Sequence, residues 1–162
     1  KYNGIGFTEV RAGAKLPADY RGLHINRKII DFVDSVMGQK VGTGECWDLA
    51  QEALEHNLAD WERPVTYGRL LDPQKDTVLP GDIIQFKRVT IMTKTEQGTR
   101  IETVGSPDHT AVVYEVKGKL HYMLAHQNIG GVRKVMVTEM NLGNMTAGQY
   151  WIWRPSAAAV KR

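Results

Sequence analysis

The hydrophobic residues of this chain change their period once. From Asn26 to Leu54 they recur every three or four positions, and from Ile83 onward they alternate or run together in short segments rich in β-branched and aromatic residues. Ile29, Ile30, Val33, Val36 and Met37 lie on one side of a helix expected from Asn26, its N-cap, to Met37, with Gly38 as the stop. Cys46, Leu49, Ala50, Ala53 and Leu54 form the stripe of a second helix capped by Thr43. Residues 59–81 read as loop. The expected strands are Ile83–Thr93, Arg100–Val104, His109–Val116, Leu120–Ala125, Val132–Val137 and Tyr150–Trp153, separated by Gly-containing turns. Helices followed by strands define an α+β fold, with the helices packed on a mostly antiparallel sheet of about five or six strands.

The length of 162 residues suits one domain with a real core. Residues 1–25 are expected to form an N-terminal arm on that domain, residues 26–156 the domain itself and residues 157–162 a tail. The net charge of +3 is spread along the chain without a basic run, which favours an anionic neighbour and argues against nucleic acid. No apolar stretch is long enough to span a membrane, and no signal peptide is visible. The single cysteine excludes an internal disulfide. Oligomeric state is not readable.

That cysteine, Cys46, falls in the first turn of its helix, where amide groups lack intrahelical partners and the helix dipole favours an anion. In HTAVVYEVKGKLHYMLAHQN, a two-residue turn at Lys117-Gly118 would set Val116 opposite Lys119 and therefore His109 opposite His126. Directly opposed side chains are about 4.5–5.5 Å apart at Cβ, close enough for two imidazoles to bond. A thiol at a helix start and two neighbouring imidazoles make a nucleophile, a general base and a residue that fixes the base's tautomer. A thiolate stabilised by an imidazolium is the expected reactive form, with the Cys46 amide facing an oxyanion. Zinc is the competing reading, because Cys46, His109, His121 and His126 are all permitted ligands. Strand alternation puts His121 and His126 on opposite faces, so a metal site using both is not expected; the chain also lacks a Gly-rich phosphate loop, and no cofactor is expected. Asp82 is expected to close the Pro80-Gly81 turn. Trp61, Trp151 and Trp153 are expected in the core or the cleft wall.

In order and approximate spacing, GTGECWDLAQEAL, LPGDIIQFK, HTAVVYEV and AHQN resemble the NlpC/P60–CHAP superfamily of papain-like cysteine peptidases and amidases. The resemblance implies a papain-like frame with Cys46 as nucleophile, His109 as base and His126 as third residue. Asn128 matches the CHAP asparagine and, with Gln127, is an alternative orienting group. Glu45-Cys46-Trp47 departs from the NlpC/P60 pattern, so Glu45 and Trp47 are candidates to shape the substrate pocket. An insert from Val89 to Pro107 would add a hairpin bordering the cleft. The resemblance further implies cleavage of peptidoglycan stem peptides by an exported bacterial protein. Acyl transfer or deamidation by the same dyad, and a wall-binding or interaction module without turnover, are the alternatives.

Overall fold

A computed structural model describes residues 23–56 and 68–156. Helices α1 (Leu23–Ser35) and α2 (Cys46–His56) precede strands β1 (Arg69–Leu71), β2 (Ile83–Thr95), β3 (Gly98–Gly118), β4 (His121–His126), β5 (Met136–Asn141) and β6 (Met145–Arg154). The strands form one sheet in the order β1-β6-β2-β3-β4-β5, with antiparallel pairing throughout. The expected class is therefore the observed one, two N-terminal helices on a curled antiparallel sheet. The expected arm and tail lie outside the described residues, except that residues 23–25 belong to α1.

Alternation along the strands supplies two cores. Ile83, Val112 and Ala125 share one sheet face through the pairs Ile83↔Val112 and Val112↔Ala125. They pack under Ile29 and Val33 of α1 and Leu49, Ala50, Ala53 and Leu54 of α2. The opposite face carries Ile84, Phe86, Ala111, Val113, Tyr122, Leu124 and Ile152, which cluster with one another. No α-helix covers them among the described residues; a 3-10 turn, Leu142–Asn144, adds Leu142 to the cluster, and the curled sheet buries this face against itself. That is why Tyr122 to His126 are all buried although they point alternately to the two sides.

Several boundaries differ from those expected. The segments Arg100–Val104 and His109–Val116 form one strand, β3, which runs through Gly105-Ser106-Pro107. A register shift between Lys87 and Val89 absorbs the irregularity, with Arg88 at φ +50° and Gly105 at φ +78°. The insert is thus the outer half of the β2–β3 hairpin. Strand β1 lies inside the stretch read as loop and pairs with β6. The strand expected at Val132–Val137 starts only at Met136, because Val135 already exchanges backbone hydrogen bonds with Gly38 and Gln39 after α1.

Asn26 is not a cap; it lies inside α1 and is fully buried. Its Nδ2 donates to Pro80 O and to Asp82 Oδ1, each at 2.8 Å. Asp82 does close the Pro80-Gly81 turn, accepting from Leu79 N–H at 2.8 Å. It also takes two bonds from buried Arg154, Nε to Oδ1 at 2.7 Å and Nη2 to Oδ2 at 3.1 Å. Gly81 is required here, since its φ is +91° and a Cβ would come within 2.5 Å of Asn26 O.

Candidate active site

The loop before α2 is shaped by two glycines and one carboxylate. Gly42 (φ +57°) and Gly44 (φ +89°) take left-handed conformations that would strain an L side chain, and a Cβ on Gly42 would come within 2.9 Å of Asp48. Asp48 Oδ2 accepts from Thr43 N–H (2.8 Å), the Thr43 hydroxyl (2.7 Å) and Glu45 N–H (3.2 Å). The cap residue is therefore Glu45, not Thr43; Asp48 reaches back to it from the third helical position, as in a capping box. Burial alone would raise the Asp48 carboxyl, but the Thr43 hydroxyl and the Glu45, Thr43 and Gly44 amides hold it below the usual carboxylate range. Cys46 follows as the first residue of α2, half-buried and outside any disulfide.

Gln127, directly after β4, fastens this loop to the sheet. Its Oε1 accepts from Val41 N–H at 2.7 Å, and its Nε2 donates to Val41 O at 3.1 Å and Glu45 O at 3.0 Å. Asn128 Nδ2 donates to Glu45 Oε2 at 2.8 Å, and Arg133 Nη1 donates to Glu45 Oε1 at 2.7 Å. Gln127 and Asn128 thus hold the loop that precedes Cys46, and neither is hydrogen-bonded to His109. Glu45 is bound to the β4–β5 connection, and Trp47 is half-buried beside the helix-side core.

His109 and His126 do meet, His109 Nε2 to His126 Nδ1 at 3.0 Å. The register that joins them differs from the expected one. The turn is Lys119-Leu120, with Gly118 opposite His121 and Leu120 at φ +57°. Two irregularities, between Val113 and Glu115 and between Val116 and Gly118, then shift β3 so that Val112 faces Ala125. His109 is consequently diagonal to His126. The displacement from the expected pairing is two residues, an even number, so both rings remain on one face. His126 Nε2 continues the chain to Thr138 Oγ1 at 2.9 Å. Phe86, opposite His109, stacks on its ring at a centroid distance of 6.3 Å.

That face is the curled inner one, whereas α2 packs on the other. Toward His109, β3 runs beyond its last β4 pair, Val112↔Ala125, and has no strand partner on that side among the described residues. The Thr110, Trp47 and Cys46 amides are near enough to the sulfur to favour its charged form, and Thr110 is the residue after His109. No hydrogen bond joins the sulfur to the His109 ring, a separation that active sites often close only with substrate in place.

Burial dominates the electrostatics. It pushes the Cys46 thiol up, with Glu45 adding to the rise and the Thr110, Trp47 and Cys46 amides opposing it. It pushes His109 down to about 4; His126 falls to about 3 through burial first and repulsion from His109 second. Burial thus favours the neutral thiol and neutral rings over the expected thiolate–imidazolium pair. His121 is separate from the site, bonded to Glu139 together with Lys117. Among the described residues, no three His, Cys, Asp or Glu side chains converge as metal ligands. Sequence reasoning missed Thr138, Thr110 and Asp48. Only Asp48, three residues beyond the cap, carried a local signal.

A cysteine-headed helix docked on a curled antiparallel sheet makes this a cysteine-proteinase-fold domain. The chain belongs to the AIM3/BBC1 cysteine proteinase-fold domain family, whose family model matches residues 23–161. It is 36% identical over 149 residues to altered inheritance of mitochondria protein 3 of Debaryomyces hansenii, covering 80% of this chain and 16% of that protein. The chain thus spans only a small part of its curated relative. The solved structure titled "The crystal structure of Ly7917" is similar at 17% identity and a TM-score of 0.46, over 80% of this chain and 62% of that one. The relative is a fungal protein, which overturns the expectation of an exported bacterial protein and leaves peptidoglycan without support as substrate. The NlpC/P60–CHAP resemblance identified the fold correctly at the level of cysteine proteinases, and the family within it is AIM3/BBC1.

Proposed function

We propose that this domain is a thiol hydrolase that cleaves an amide bond in a polypeptide through an acyl-enzyme on Cys46. With Nε2 of His109 engaged by His126, Nδ1 is the nitrogen left to take the thiol proton as the sulfur attacks the carbonyl carbon. The oxyanion would face the Cys46 and Trp47 amides of the first helical turn. The His109 proton then passes to the leaving amine. Water, deprotonated by His109, hydrolyses the thioester and restores the thiol. Gln127 holds the nucleophile loop during both steps. The observation that carries this reading is the buried 3.0 Å contact between His109 and His126, with Thr110, the residue after His109, bringing an amide beside the only thiol of the chain.

A second reading, an interaction module without turnover, is favoured by the neutral resting dyad and by the missing hydrogen bond between thiol and ring. Digesting a denatured protein extract with the chain and labelling new amino termini for mass spectrometry separates the two. Hydrolysis predicts new termini that are absent with Cys46→Ala. An unchanged set of termini would favour the module.

A further inference from the structure

Thr138 has two environments. On one side its hydroxyl is 2.9 Å from His126 Nε2. On the other, Thr138 lines a cavity of about 470 Å³ between the outer half of β3 and β5, together with Arg100, Glu102, Ile129 and Glu139. The chain His109–His126–Thr138 can carry its protons in two senses. In one, His109 Nε2–H donates to His126 Nδ1, His126 Nε2–H donates to the Thr138 oxygen, and His109 Nδ1 is bare. In the other, every bond is reversed and Nδ1 carries a proton, so it cannot accept one from a thiol.

We propose that Thr138 is a positioning residue that holds the pair in the first sense, with its oxygen accepting from His126. The cavity is open to water, which can accept a hydrogen bond from the hydroxyl; its one guanidinium, Arg100, is engaged by Glu102 at 2.8 Å, and the Glu139 carboxylate is held by Lys117 and His121. A hydroxyl on that wall turns its proton toward the cavity and offers a lone pair to the buried ring behind it. The use of this tautomer in catalysis rests on the proposed hydrolase reading; the tautomer itself does not.

Ring ¹⁵N spectra of His126 and His109 test the assignment, with Thr138→Val as the near-isosteric variant and Thr138→Ser as the conservative one. The wild-type chain should show protonated Nε2 and bare Nδ1 on both rings. Thr138→Val should redistribute the protons and slow alkylation of Cys46 by roughly tenfold, the scale of one buried hydrogen bond. Thr138→Ser should restore both. A His126 ring protonated at Nδ1 in the wild type, or a Thr138→Val spectrum identical to wild type, overturns the assignment. Redistributed protons with unchanged Cys46 reactivity would uphold Thr138 and count against the hydrolase.

Discussion

A histidine with no exposed surface, as His126 is, folds as the neutral ring. Its folded pKa of about 3 and that of His109 near 4 lie below the ordinary value of 6.5, so below pH 6.5 the unfolded chain binds protons that the folded chain does not. Stability is therefore expected to fall as pH drops from 6.5 toward 4, by about 1.4 kcal/mol per pH unit for each ring. Urea unfolding at pH 7 and pH 5 measures this. His126→Gln should show a smaller difference between the two pH values, and an equal difference would mean that the ring is not buried neutral. The same depression means that His109 is free of its proton above about pH 4, so the acidic limb of any Cys46-dependent hydrolysis should lie near 4 and not near 6.5. At this scale the sequence was informative because parity is robust. The two rings stayed on one face although turn and register both moved, whereas Thr138 could not be read, since β5 begins only where Val135 ends its pairing with Gly38 and Gln39.

The element that positions the sulfur is the loop from Val41 to Glu45. It makes no regular structure, and is held by Asp48 from the helix and Gln127 from the sheet. Gly42→Ala would place a Cβ at a left-handed φ against Asp48 and is expected to cost about 1–2 kcal/mol in thermal unfolding while slowing Cys46 alkylation. Gln127→Leu leaves the Val41 amide without its partner, while the Val41 carbonyl keeps Gly44 N–H and the Glu45 carbonyl keeps Asp48 N–H, and should cost on the order of 2 kcal/mol. Helix existence was legible from the apolar stripes, but the caps were not. The bonds that define the start of α2 run to Asp48 inside the helix, and Asn26 is spent on a contact with Asp82 across 56 residues. Asp48 lies within local reach of the cap, but no local pattern encodes a partner as distant as Asp82.

Across the whole molecule, α1, the Pro80-Gly81 turn and the end of β6 are tied together through Asn26, Asp82 and Arg154. Both charges are buried, and burial pushes the Asp82 carboxyl up against the pull of Arg154. Arg154→Met strands that carboxylate and is expected to destabilise the fold by about 3–5 kcal/mol in chemical denaturation, whereas a loss below 1 kcal/mol would mean the site is wet. The order of elements and the antiparallel sheet were legible in the switch of period. The bidentate pair of Asp82 with a residue 72 positions away was not. The central claim, that His109 activates Cys46, is tested most directly by the second-order rate of Cys46 alkylation by iodoacetamide, followed by intact mass from pH 4 to 9. The account predicts that His109→Ala lowers this rate at least tenfold at neutral pH, as expected for loss of a general base; equal rates for the two proteins across that range would contradict it.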